Sequence, residues 1–145
     1  MARPDPALLE AARYPYSCSI ETRYCDLDSN LHVNNGAMAS LLEEARVRFH
    51  RAAGFNNPSA DPEGTVMVAS VSIEYLGQSH YPEPLDCHVG FLRIGTSSYD
   101  LAQLITQDGG VVVFCRSTLV SVSEGRSHPI SDSRRALVEA WMVKS

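Results

Sequence analysis

The residues best equipped for chemistry crowd into one short run, Tyr24-Cys25-Asp26-Leu27-Asp28-Ser29-Asn30-Leu31-His32-Val33-Asn34-Asn35-Gly36, which holds two carboxylates, one imidazole and three carboxamides. A solvated turn accounts for part of this, because Asp and Asn bond their own backbone and an Asn can cap a following helix. What comes next gives the run a second meaning. Met38, Leu41, Leu42, Ala45, Phe49, Ala52 and Ala53 recur at helical intervals, with Glu43, Glu44, Arg46, Arg48, His50 and Arg51 filling the other side. The start of such a helix offers unpaired N–H groups at its positive dipole end, a place where an oxyanion is stabilised. A carboxylate beside that place attacks a carbonyl or activates a water. Chemistry on an acyl group needs those two elements together.

The elements that must position them are legible from patterning. Asp5-Pro6 before Ala7 to Arg13 sets an N-cap and an N1 proline ahead of a short leading helix. Polar and less polar residues alternate from Ser17 to Tyr24, the period of a half-buried strand. Asn34 or Asn35 caps the long helix, and Gly54 is placed to end it in a left-handed conformation. Residues 55–65, rich in Asn, Pro, Asp and Gly, read as a loop. Strands are expected over Val66–Leu76, Leu85–Ile94, Ser98–Thr106 and Val111–Val122, the last two joined by the hairpin signal Gln107-Asp108-Gly109-Gly110. Because Val111–Val122 is apolar on both faces near its start, it belongs inside the sheet rather than at an edge. A terminal helix over Asp132–Met142 presents Leu137, Val138, Trp141 and Met142 inward. Strands that run together, rather than alternating with helices, imply an α+β architecture: an antiparallel sheet around the long helix, in a single domain over residues 1–145.

Composition narrows the function further. With 12 Lys and Arg against 17 Asp and Glu, the net charge of -5 has the wrong sign for holding nucleic acid or an anionic membrane, so neither is an expected partner. No apolar run approaches the ~20 residues that span a bilayer, and the opening Met1-Ala2-Arg3-Pro4-Asp5-Pro6 does not read as a signal peptide; the expected location is cytoplasmic. Cys18, Cys25, Cys87 and Cys115 form no C-x-x-C pair and read as reduced thiols, and the five histidines show no H-E-x-x-H spacing. Neither a metal nor a cofactor is expected.

The chain resembles the hotdog-fold acyl-CoA thioesterases of the 4-hydroxybenzoyl-CoA thioesterase type. The resemblance rests on Asp26-Leu27-Asp28, His32-Val33-Asn34-Asn35 and Leu42-Glu43-Glu44-Ala45-Arg46 in that order, and later on Ile73-Glu74-Tyr75-Leu76, Gly95-Thr96-Ser97-Ser98 and the Asp108-Gly109 hairpin. Plant acyl-carrier-protein thioesterases carry a similar D-L-D-x-N-x-H-V-N-N run. The resemblance implies a hotdog fold, an antiparallel sheet wrapped around one long central helix. It implies an acyl-CoA or acyl-carrier-protein substrate, and a homodimer or homotetramer with the active site at the subunit boundary. It makes Asp28 the catalytic carboxylate, as nucleophile or as general base for water. The N–H that polarises the thioester carbonyl comes from around Asn35 and Gly36, with His32 and Asn34 supporting the turn and the substrate. Asp26 is expected to hold the turn or Arg23, Glu43 and Glu44 to face solvent or a partner, and Glu44 to be a distant catalytic alternative. Arg93, Thr96, Ser97 and Ser98 suit the phosphates of CoA, or else form an ordinary polar hairpin. One departure stands out: many relatives have Gly immediately before H-V-N-N, and here Leu31 is expected to narrow the acyl pocket or alter the loop.

Two alternatives remain open in the sequence. A hotdog hydratase uses D-x-N-P-x-H with His five residues after Asp, whereas His32 follows Asp28 by four and the proline is missing. A non-catalytic acyl-CoA-binding module is the other.

Overall fold

Helix α1, Asn35–Ala53, starts where the Asn34 side chain accepts a hydrogen bond from the Gly36 N–H at 2.7 Å, and it ends at Gly54 with φ 103°. Both ends follow from local chemistry: an Asn cap and a glycine in the left-handed region. The computed structural model describes residues 4–55 and 65–145. Most of the segment read as a loop over 55–65 therefore lies outside the described residues.

The strands are β1, Tyr16–Ile20; β2, Thr65–Tyr75; β3, Leu85–Ile94; β4, Ser98–Gln107; β5, Gly110–Ser123; and β6, Arg126–Ser127. They form one antiparallel sheet in the order β1-β3-β4-β5-β2, with the short β6 attached to β5. β5 lies inside the sheet between β4 and β2, as its two apolar faces require. The β4–β5 hairpin turns through Asp108 at φ 52° and Gly109 at φ 82°, the two positive angles that Asp-Gly tolerates. Met38, Leu42, Ala45 and Phe49 of α1 pack on the inner face of the sheet, where Phe49 meets Phe91 with ring centroids 4.9 Å apart. A curled sheet around one long helix is the hotdog arrangement.

Three expected elements differ by more than a single residue at an end. The leading segment forms two 3-10 turns, Pro6–Leu9 and Ala11–Arg13, broken by an extended Glu10. This break lets Leu8, Leu9, Ala11 and Tyr14 pack with Ala102, Leu104 and Phe114 in a small second core. Strand β1 stops at Ile20 instead of Tyr24, because its last partner, Leu85, is the first residue of β3. Helix α2, Asp132–Ala140, ends two residues before Met142. There Trp141 O accepts the Phe91 N–H and Val143 N–H donates to Phe91 O, so the chain leaves the helix to run beside a bulge in β3. The two-residue β6 has no counterpart in the sequence pattern.

Candidate active site

The loop that bears Asp28 is a small hairpin pinned at both ends. At its base Asp26 is buried and its carboxylate takes the Arg23 guanidinium at 2.8 Å and the Arg23 N–H at 3.1 Å, which holds the carboxyl below the usual carboxylate range. Asp26 also accepts the Asn34 N–H through its carbonyl, and Leu27 bridges to Val33. Asp26 is thus the support that was expected of it. Above the base, Asp28 Oδ1 accepts the N–H groups of Asn30 at 2.9 Å and His32 at 3.2 Å. None of the loop's hydrogen bonds reaches Asp28 Oδ2.

Leu31 sits at the tip with φ 61°, and its N–H donates to the Asp28 carbonyl. A glycine adopts that angle without a Cβ penalty, which explains the residue commonly found there. The side chain is 63% exposed and does not line the adjoining cavity, so the expected narrowing of an acyl pocket by Leu31 is corrected to an altered, strained turn.

That cavity, about 440 Å³, lies between the loop, the head of α1 and the segment after β2. Asp28, His32 and Asn35 border it on the polar side, and Val33, Met38 and Val113 on the apolar side. The segment after β2 is drawn in by Val33 N–H donating to Ser79 O, while Gln107 clamps His80 from both sides, accepting its N–H at 2.8 Å and donating to its carbonyl at 2.9 Å. The His80 ring stands edge-on to His32, centroids 5.3 Å apart. Gly77 permits the close approach, for a Cβ there would stand 2.7 Å from the Val111 carbonyl oxygen. Gly77, Ser79, His80 and Gln107 are brought to the site by the fold and carry no motif in the sequence that marks them. The one signal was a Gln at the last position of β4, a strand that also carries Ser98, Asp100, Gln103 and Thr106.

At the helix head the expected pair of N–H donors separates. Gly36 N–H is already held by Asn34 Oδ1, which makes Asn34 the helix cap and takes Gly36 out of the oxyanion role in this state. Asn35 N–H has no partner among the described residues, and Asn35 borders the cavity. Tyr75 O–H donates to the Asn35 carbonyl at 3.3 Å.

The residues considered for CoA lie elsewhere in the chain. Register sets Ser98 level with Val120 and Met67, whereas Tyr75 beside the cavity is level with Val113. Val113 to Val120 spans roughly 23 Å of strand. At that far end one Arg93 nitrogen donates to Asp100 at 3.0 Å and to Ser98 Oγ at 3.1 Å, while the Thr96 and Ser97 carbonyls accept from Ile130 and Ser121. Glu43 and Glu44 are exposed on α1, Glu44 paired with Arg48 at 2.8 Å. Among the described residues no three His, Cys, Asp or Glu side chains cluster as metal ligands would.

A carboxylate oxygen, a helix-head N–H and a partly apolar cavity in one place match what acyl transfer requires, and the sequence pattern of the thioesterase-like superfamily fits residues 22–143. The chain belongs to that superfamily. Membership assigns it thioester hydrolysis. A thioesterase from Thermus thermophilus, solved in complex with coenzyme A and Zn, superposes with a TM-score of 0.78 at 25% identity over 88% of this chain and 93% of that one. The PA2801 protein of Pseudomonas aeruginosa, provisionally named a thioesterase, is 30% identical over 85% of this chain and 97% of its own, with a TM-score of 0.72. Slr0204 of Synechocystis, a 1,4-dihydroxy-2-naphthoyl-CoA thioesterase, shares the fold with a TM-score of 0.73 at 12% identity, over 85% of this chain and 94% of its own. A search of the curated proteins finds no match.

Proposed function

We propose that this protein hydrolyses an acyl-CoA thioester in the cavity at the head of α1, with Asp28 as the reacting carboxylate. The observation that carries the proposal is the state of that carboxylate: Oδ1 is fixed by two backbone N–H groups, Oδ2 takes no hydrogen bond from the loop, and Asp28 borders the cavity. A carboxylate so oriented serves as nucleophile on the thioester carbon or as base for a water. Asn35 N–H polarises the carbonyl, and the acyl group lies against Val33, Met38 and Val113. His32, held by its N–H to Asp28, steadies the loop and contacts substrate. The CoA-complexed relative supports CoA as the carrier.

The reading includes a second copy of the chain. Strand β2 is an edge strand with Met67, Val68, Val71 and Tyr75 each more than two-fifths exposed. An antiparallel pairing of β2 with β2 of a second copy would cover this strip. It would also set the Thr65 end of one copy beside the Tyr75 end of the other, carrying a β3–β4 turn with Arg93, Thr96, Ser97 and Ser98 toward the opposite cavity. The apolar patch of the outer sheet face around Ala102, Leu104 and Phe114 is already covered by Leu8, Leu9 and Tyr14 of the same chain, which favours a dimer over a tetramer.

Release of free thiol from a panel of short, long and aromatic acyl-CoAs tests the activity. Turnover by the wild type and its loss in Asp28→Asn supports the proposal; tight binding without turnover would establish a binding module instead. Single turnover in H₂¹⁸O with hydroxylamine trapping separates the two roles: a nucleophilic Asp28 forms an acyl anhydride that hydroxylamine captures, and label enters the Asp28 carboxylate when water opens that anhydride at the Asp28 carbon, whereas a general base gives neither.

A further inference from the structure

Cys18 of β1 and Cys87 of β3 are register partners on adjacent antiparallel strands. Opposed residues of such a pair point to the same face with Cα atoms about 4.5 or 5.5 Å apart, and both values fall within the range that a disulfide spans. The two thiols face one another across the ladder, and none of the four cysteines is in a disulfide. Their environments differ: Cys18 is half-buried at the edge of the sheet, while Cys87 is fully buried in the main core. Arg48 reaches over from α1, its guanidinium donating to the Ser19 carbonyl at 3.4 Å, so a cation stands beside Cys18.

We propose that Cys18 and Cys87 form a reversible dithiol–disulfide couple, in which Cys18 is the sulfur that reacts with hydroperoxides and Cys87 the sulfur that resolves the product. The Cys18 thiolate attacks one peroxide oxygen, an S–O bond forms, the O–O bond breaks, and the departing oxygen takes a proton to leave as an alcohol or water. Cys87 then attacks the sulfenic sulfur; the S–S bond forms, the S–O bond breaks, and the hydroxyl leaves as water with the Cys87 proton. Two thiols lose two electrons and one hydroperoxide gains them.

The asymmetry of the pair suits these roles. The hydrogen bond from Cys87 pulls the Cys18 pKa down to about 6, against the opposing effect of its own burial and with help from Tyr16 and Arg48. Cys87 is pushed in the other direction by the same hydrogen bond and by burial, so it stays a thiol until Cys18 is oxidised. Because β1 leads into the Tyr24–Asp26 turn below Asp28, the disulfide would staple the strand that anchors the catalytic loop. β1 lies at the sheet edge opposite β2, so a β2-mediated dimer would leave Cys18 accessible.

The experiment treats the reduced chain, in a Cys25→Ser background that removes the exposed thiol, with one equivalent of hydrogen peroxide. The expected product has lost two thiols and 2 Da, yields a peptide linking residues 18 and 87, and returns to the dithiol with dithiothreitol. Cys18→Ser should abolish the product. Cys87→Ala should accumulate a sulfenic acid at residue 18 that a dimedone probe captures, and a circular dichroism spectrum matching the parent confirms that each variant is folded. A Cys18 left unmodified, or carried to sulfinic acid with no linked peptide from the otherwise unaltered pair, would overturn the proposal.

Discussion

Asp28 holds its loop through Oδ1, and the reactive role proposed for the carboxylate can be measured apart from that support. Asp28→Asn keeps a carbonyl oxygen for the Asn30 and His32 N–H groups while removing the charge. The expected outcome is a fall in kcat on the order of 10²–10⁴-fold with the thermal midpoint nearly unchanged. Asp28→Ala loses the turn as well and should lower both, in thiol-release kinetics and thermal melts run side by side. Leu31 offers a contrasting test. A left-handed non-glycine residue costs about 1–2 kcal/mol and glycine's extra chain entropy returns about 0.5–1. Leu31→Gly should therefore stabilise the protein by roughly 0.5–1 kcal/mol in urea unfolding and leave the ranking of acyl-CoAs unchanged, because its exposed side chain does not border the cavity. At this scale the D-x-D and H-V-N-N residues were legible because their types and order stand out in the sequence. Which N–H remains open was not legible, since Asn34 and Asn35 are the same residue type, and backbone geometry alone decides that Asn34 closes on Gly36.

Elements whose ends are set by their own residues were readable; those ended by a neighbour were not. The limits of β3 follow from alternation between Leu85 and Ile94, and α1 from its Asn cap and glycine stop. The end of β1 depends on where β3 begins, and the end of α2 on the stretch of β3 beyond its pairing with β1, where the Phe91 backbone is open to Trp141 and Val143. The site shares this division. Asp28 and the head of α1 are local, whereas Gln107 reaches His80 across 27 residues of chain and no spacing rule announces it. The cap of α1 is directly testable. Asn34→Ala removes the acceptor for Gly36 N–H and should destabilise the fold by about 1 kcal/mol, read from the urea midpoint at constant m-value.

For the whole molecule, the exposed strip on β2 predicts an association that a single charge can break. Val71 is 46% exposed in the isolated chain, so a lysine there costs the monomer little but places like charges at the centre of a self-pairing edge. Wild type should scatter light as twice 15.9 kDa, and Val71→Lys as 15.9 kDa with most turnover lost. Stability against acid is the second global property, and it is governed from the core. His50 is buried, its Nδ1–H donates to Arg46 O at 2.8 Å and its Nε2 accepts from Tyr99 O–H at 2.8 Å, and its pKa is depressed by burial from 6.5 to about 4. The unfolded chain thus takes up a proton below pH 6.5 that the folded chain refuses until about pH 4, so stability falls as pH drops through that window. The full loss from this group is about 3 kcal/mol. His88, also depressed by burial, acts in the same direction. Asp100 loses its contribution lower down: despite burial, Arg93, Arg116 and Thr118 hold its pKa at about 2, so its stabilising effect persists to pH 3.8 and fades below. Urea unfolding at fixed protein concentration between pH 7.5 and 4 should show the decline, and His50→Gln, unable to take the proton, should flatten most of it while starting from a lower stability at pH 7.5. An equally steep decline in His50→Gln would move the acid sensitivity away from the core histidine.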